Sequence, residues 1–335
     1  MSQNFSGLKL NRRGPAFLMA VLLALALATN AGALFGKKQA AVTTASAGSP
    51  TARELQVKTY RNIPYHAQFL ASDSEGNDMT YAVAAQPKHG TVTVEGADFV
   101  YTPAENRTGS DSFTYVAKDS EGNVSTPATV SVTINKVKSG VCYVDMTGNP
   151  AAAAAQCLAE EGVFVGAKIG DQYYFEPDRT VSRGQFLAMV METAGLDAGS
   201  VTMTGFCDDA AIPTWAKAYA AAGLSEGVVQ GVSTADGVAF RAGDTVTFNE
   251  AAAILNRVLS VNDVDLTTWY ADRTAVPSWA AQAVGNMESV NVLATGSFGS
   301  DHMSDKVTRA DAAEMLSAAK TLLNGEDTGF FSWIS

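Results

Sequence analysis

Histidine and cysteine are scarce in this chain of 335 residues, with three of each. His66, His89 and His302 fall in different segments, and none accompanies a nucleophile motif. G-x-S-x-G, the P-loop and HExxH are all missing. Acidic residues are plentiful, but nothing singles out two as a glycosidase pair. The expectation is a protein that is not an enzyme, with no catalytic residue, no metal site and no cofactor. Cys142, Cys157 and Cys207 are too few and too uneven for a disulfide framework. Either Cys142 and Cys157 bridge across one loop and one helix, or all three are buried free thiols, the simpler reading. No CxxC pair or His/Cys cluster suggests zinc. Clustered basic residues are missing too. Lys and Arg total 23 against 34 Asp and Glu, a formal charge of −11, which argues against nucleic acid and anionic membrane as partners. What is present, 47% hydrophobic and 17% charged residues, describes a folded chain long enough for several domains.

The N-terminus carries a more specific signal. Lys9, Arg12 and Arg13 precede a 13-residue apolar run, Ala16 to Ala28, followed by small residues. A positive flank, a short apolar stretch and an A-x-A site are the parts of a secretory signal peptide. Ala31-Gly32-Ala33 and Ala45-Ser46-Ala47 both fit the cleavage pattern. As a helix the run rises about 20 Å, short of the ~30 Å hydrocarbon core, although Thr29 to Gly36 could extend it into an uncleaved anchor. Residues 1–33 therefore read as signal peptide or anchor, and the remainder as exported. Residues 34–52, rich in Ala, Ser and Thr without apolar periodicity, read as a linker.

Residues 53–137 change character. Thr91–Val94, Asp111–Val116 and Ala128–Ile134 alternate with period two, the mark of half-buried strands. Turn residues recur between them at Pro87-Lys88-His89-Gly90, Glu95-Gly96 and Asn106–Gly109. Short, regularly punctuated strands predict a β-sandwich. The segments Gln86–Thr91, Tyr101-Thr102-Pro103, Gly109–Tyr115 and Asp119–Asn123 make this stretch resemble the bacterial cadherin-like, immunoglobulin-type domains of surface proteins. Asp-Ser-Glu-Gly-Asn occurs twice, at Asp73–Asn77 and Asp119–Asn123. Calcium is one reading; turns in which Asp bonds its own backbone and Gly takes positive φ are the favoured one.

Beyond residue 138 a segment recurs three times. The copies open at Tyr143-Val144-Asp145, Phe206-Cys207-Asp208 and Tyr270-Ala271-Asp272, 63 and 64 residues apart. A fixed period of this size means similar packed units. Each copy predicts two helices: Ala151–Glu161, Thr214–Glu226 and Ser278–Ser289 first, then Ser182–Ala194, Thr247–Leu259 and Thr308–Leu323. A loop joins them, as at Tyr173–Asp178. Pairs this short bury their apolar faces only by packing on one another. Ser182-x-x-Gln185 and Thr247-x-x-Glu250 match the capping box, and Thr308-x-x-Asp311 is a shorter version. Arg183 and Arg309 follow the hydroxyl, where a cation opposes the helix dipole. Their compensating anion is either the copy's own Asp145 or Asp272, or an anionic ligand held by the guanidinium fork. Trp215 and Trp279, each shortly after a Pro at a helix start, are either core anchors or flat faces for sugar rings.

Aromatic-x-Asp, Pro-x-Trp, Phe-x-Pro in the loop and a Thr-Arg-x-Glu-like motif resemble the S-layer homology (SLH) domain, in three copies at 141–200, 204–262 and 268–323. The resemblance implies an all-α, pseudo-threefold module that binds secondary cell-wall polymer, often pyruvylated, and fixes an exported surface protein to the peptidoglycan layer. The binding residues it implies are Asp145, Arg183, Asp208, Trp215, Asp272, Trp279 and Arg309. The copies depart from the pattern unequally. Pro150-Ala151 stands where the first Trp belongs and Phe248 where the second Arg belongs, which implies one or two working grooves. Partners beyond wall glycan include other surface proteins. The alternative is an adhesin whose β-sandwich is the active module. The apolar segment Phe330–Ile334, within the tail 324–335, covers a module edge or meets a partner.

Overall fold

The computed structural model describes residues 48–269, 275–294 and 296–325. The N-terminal apolar run, residues 34–47 of the expected linker, Asp272 and the segment Phe330–Ile334 lie outside them. No helix among the described residues is long and apolar enough to cross a membrane.

Nine strands come first: β1 (Thr51–Ala52), β2 (Leu55–Tyr60), β3 (Tyr65–Gln68), β4 (Ala71–Ser72), β5 (Met79–Ala85), β6 (Gly90–Glu95), β7 (Asp98–Pro103), β8 (Gly109–Asp119) and β9 (Ala128–Asn135). They form a four-stranded sheet ordered β2-β9-β8-β5 and a three-stranded sheet ordered β3-β7-β6, with β1 paired to β4. β2 runs parallel to β9 and the other pairs are antiparallel. Alternation decides which residues face inward. On β9 Ala128, Val130, Val132 and Ile134 are buried, and on β8 Phe113, Tyr115 and Ala117. Phe69 stacks on Tyr115 at 4.3 Å and on Phe99 at 4.6 Å, closing the core between the sheets. β1 also corrects the linker boundary, since Thr51 and Ala52 already pair with Ser72 and Ala71.

Both Asp-Ser-Glu-Gly-Asn segments are turns. Asp73 accepts the Glu75 N–H, and Asp119 accepts the Asn123 N–H and its side-chain amide. Gly76 and Gly122 take φ of +74° and +97°. The hydrogen-bonding capacity of Asp119 is thus turned on its own loop. All three cysteines are free, but Cys142 and Cys207 are exposed and Cys157 is only half-buried, so the expectation of buried thiols is not met.

The rest is helical: α1 (Ala152–Glu160), α2 (Arg183–Ala194), α3 (Thr214–Ser225), α4 (Phe248–Leu259), the short α5 (Leu266–Trp269), α6 (Ala281–Ser289) and α7 (Arg309–Leu323). It is not all-α as expected. Hairpins β10 (Ala167–Ile169)/β11 (Gln172–Tyr174) and β12 (Val232–Thr234)/β13 (Gly237–Ala239) stand between the two helices of the first and second copies. Their three-residue strands are too short to show a period of two. α2, α4 and α7 begin at capping boxes on Ser182, Thr247 and Thr308, each with both reciprocal bonds. Asp311 therefore performs the full device and not a reduced one.

The three copies meet at their hydroxyl motifs. Val181 N–H donates to Val307 O at 2.9 Å, Val307 N–H to Val246 O at 2.9 Å, and Val246 N–H to Val181 O at 3.1 Å. The bonds close a ring of three valines, all buried. Around it, each helix start donates to the loop of the neighbouring copy: Arg183 and Gly184 to Asp244 and Ala242, Phe248 to Asp305, and Arg309 and Ala310 to Arg179 and Pro177. Helix-start N–H groups lack intrahelical partners, so these loops satisfy donors that would otherwise be stranded in the core. One continuous apolar core, including Phe186, Leu187, Ile254, Leu255, Leu316 and Ala312, spans all three copies. Ile63, from the loop after β2, packs against that core as well.

Candidate ligand-binding junction

The aromatic-x-Asp motif has a structural role in the two copies where it is described. Asp145 accepts the N–H of Phe175 at 2.9 Å and of Glu176 at 2.7 Å. Asp208 accepts the N–H of Phe240 and Arg241, both at 2.8 Å. Glu176 and Arg241 sit in the left-handed region, at φ of +56° and +58°, a strained state for side chains of their kind. Two backbone donors on one carboxylate hold that turn in place. The preceding aromatics pack on the same loops: Tyr143 meets Phe175 edge-on at 5.2 Å, and Phe206 stacks on Phe240 at 5.4 Å.

Arg183 and Arg309 each pair with a carboxylate of a neighbouring copy. Arg309 reaches into the first copy, donating from Nη1 to Phe175 O at 2.9 Å and to Glu176 Oε2 at 2.7 Å. Its guanidinium lies 4.9 Å from the centre of the Phe164 ring, a cation–π contact. Arg179 shares the same carboxylate oxygen at 2.8 Å. Its hydrogen bond, with the Arg309 charge beside it, holds the Glu176 carboxyl below the usual range against a smaller opposing effect of desolvation. Burial lowers the pKa of Arg309 and the Arg179 charge adds to it, while Glu176 opposes both; an arginine stays charged all the same. Asp145 contributes more weakly, through space. Lys168 lies 5.3 Å from the ring centre of Tyr173, which bridges to Tyr143. The junction of third and first copies thus gathers Arg179 and Arg309 on the Glu176 carboxylate, with Phe164 against the Arg309 guanidinium and Asp145 nearby.

The other junctions differ. Arg183 donates from Nη1 to Glu250 Oε1 of the second copy at 2.9 Å, and its guanidinium lies 5.8 Å from the Phe240 ring centre. Its Nε is buried without a partner, as is Asn249 Oδ1. Where the second copy meets the third, Phe248 replaces the arginine, and only its backbone N–H crosses, to Asp305 O at 3.2 Å. Glu176 and Glu250 are the ion-pair partners that the sequence did not disclose. Glu250 is visible there only as a capping residue.

Trp215 and Trp279 are not core anchors. They are 51% and 61% exposed, standing at corresponding places just after Pro213 and Pro277. Among the described residues, no group of three or more His, Cys, Asp or Glu could hold a metal ion.

A family model described as a bacterial Ig domain matches residues 47–133, starting and ending a few residues before the 53–137 expected. No curated protein matches the chain. Among solved structures, an endo-fucoidan hydrolase of glycoside hydrolase family 107 is 22% identical with a TM-score of 0.23, over 28% of this chain and 14% of the hydrolase. Fibronectin(III)-like modules of Clostridium thermocellum CbhA are 20% identical with a TM-score of 0.20, over 27% of this chain and 48% of theirs. A variant of the SrpA adhesin from Streptococcus sanguinis is 16% identical with a TM-score of 0.22, over 29% of this chain and 66% of its own. The chain thus spans less than two thirds of each, and at these scores the likeness bears on neither activity nor ligand. The N-terminal β-sandwich is similar to a bacterial Ig domain, and it precedes a helical region with seven α-helices among the described residues.

Proposed function

We propose that residues 141–323 are three SLH repeats around a pseudo-threefold axis, and that they hold an exported chain to the cell surface by binding secondary cell-wall polymer. The carrying observation is the pair Trp215 and Trp279. Large apolar faces normally leave water, yet these two stand out in it at the same place in successive copies, as stacking platforms for sugar rings do. The ring formed by Val181, Val246 and Val307 supports the pseudo-threefold arrangement. The junction around Arg309 supports an anionic ligand, because a pyruvate-type carboxylate can share the guanidinium and Arg179 with Glu176. Several modest contacts along one polymer then add up to firm attachment.

Sedimentation of the purified protein with wall sacculi tests the reading, before and after chemical removal of the secondary polymer. Binding that is lost on removal supports it. Binding that survives transfers the activity to the β-sandwich, the adhesin alternative. The double variant Trp279→Ala/Arg309→Ala is expected to weaken sedimentation while far-UV circular dichroism is retained; undiminished sedimentation would place the site elsewhere.

A further inference from the structure

Arg309 is held in place by contacts other than its ion pair. Its Nη1 donates to Phe175 O at 2.9 Å, and its guanidinium rests 4.9 Å from the Phe164 ring centre. The start of α7 that carries it donates backbone N–H bonds to Arg179 O and Pro177 O. Glu176 is laid over this arrangement. Its Oε2 accepts from Arg309 Nη1 at 2.7 Å and from Arg179 Nη1 at 2.8 Å. Side-chain exposure rises outward, from 11% for Arg309 through 39% for Glu176 to 59% for Arg179. The carboxylate thus stands on the solvent side of a nearly buried guanidinium. The fold does not demand an acid at this place. Counted back five residues from the ring valines, it is Arg241 in the second copy and His302 in the third. Arg241 even takes the same left-handed backbone, at φ of +58° against +56° for Glu176.

We infer that Glu176 is a built-in competitor for the anionic ligand of this junction. Its carboxylate occupies Arg309 in the free protein and swings away when a carboxylate of the polymer takes the guanidinium. The inference rests on the wall-binding reading and adds to it the residue that sets affinity at this junction. Only the side chain has to move, because Asp145 holds the Glu176 backbone N–H at 2.7 Å. Arg179, bonded to the same carboxylate oxygen, gives the displaced Glu176 a partner to keep. Arg309 itself stays, since the Phe175 carbonyl and the Phe164 ring do not depend on Glu176. A site that is free for only part of the time binds more weakly in proportion to that fraction, so removing the competitor tightens binding.

The amount of polymer-bearing sacculi that sediments half of the full-length protein is the measurement. Glu176→Gln removes the charge and should lower that amount about two- to five-fold, the range of a partly exposed ion pair. Glu176→Asn is the second variant: Asn tolerates the left-handed region, and its side chain is one methylene shorter and draws back from Arg309. It should tighten binding likewise. Added to Arg309→Ala, neither substitution should change binding further. Unchanged or weaker binding by both variants, with the fold retained, overturns the inference. So does tightening that persists in the Arg309→Ala background, which would reflect only one negative charge fewer facing an anionic polymer. Loss of fold in both variants would make Glu176 part of the scaffold and overturn it too. These outcomes leave the wall-binding reading standing as long as the parent sediments only when the polymer is present. A parent that sediments equally well without polymer sinks that reading, and the inference with it.

Discussion

At the residue scale, one buried carboxylate organises an edge of the sandwich. Asp111 is 9% exposed and accepts from Lys88 N–H, His89 N–H, Ser112 N–H and the Tyr101 hydroxyl at 2.8–3.0 Å. Desolvation pushes its pKa up, but the His89, Ser112 and Lys88 N–H groups and Tyr101 outweigh it, leaving it below the ordinary aspartate value. An acid whose folded pKa is depressed adds stability that is present above its unfolded pKa of about 3.9 and lost as pH falls through the folded value. Asp111→Ala strands several buried donors and should cost on the order of 1–3 kcal/mol at pH 7. Thermal melts at pH 7 and pH 3 check this: the gap between variant and parent should narrow in acid. The exposed tryptophans behave in the opposite way. Trp215→Ala or Trp279→Ala should change stability within about 0.5 kcal/mol while lowering retention by sacculi. The sequence allowed both readings of these tryptophans because a Pro-x-Trp at a helix start looks the same in either; only packing distinguishes them. The arginine partners were hidden for another reason. Arg309 and Glu176 are 133 positions apart and Arg183 and Glu250 are 67 apart, in different copies, and a local motif carries no record of which neighbour lies opposite.

At the element scale the helix starts were the most legible feature, because a capping box is a local device whose hydroxyl and acid are three residues apart. Thr308→Ala removes the acceptor for Asp311 N–H and should cost roughly 1 kcal/mol, with fraying at the start of α7 seen as faster amide exchange. The hairpins went unread. Their strands occupy three residues each, and what fixes them is close approach and not period. Gly166 and Gly231 hold corresponding places at φ of +71° and +75°; a Cβ on Gly166 would collide with the Tyr174 carbonyl, and one on Gly231 would lie 2.8 Å from the Ala239 carbonyl. Either glycine changed to Ala should lower the melting temperature more than Gly170→Ala, at the β10–β11 turn, where a Cβ meets nothing within 4 Å.

At the scale of the whole molecule, the copies complete one another. The repeat period was legible, but a ring in which each copy donates to one neighbour and accepts from the other is a property of the assembled set. A chain ending at residue 262 would strand Val181 N–H, whose partner is Val307, and leave Val246 O without its donor. It would also uncover the core that α6 and α7 bury. Because neighbouring units stabilise one another, far-UV circular dichroism of that truncation should lose more helix than its missing residues account for. Retention of two intact copies would show that the ring is dispensable.

The same ring has a mechanical meaning. Strand β2 of the sandwich packs on α1, and α1 packs on α7, while the Val181 N–H donates directly to the Val307 carbonyl. Tension entering from the β-sandwich and leaving through the end of α7 crosses the one junction between the first copy and the third, where Val181, Arg179, Pro177 and Glu176 meet Val307, Arg309 and Ala310. It need not travel through the second. The middle copy, the one that carries Phe248 in place of arginine, is spared the load that its neighbours bear.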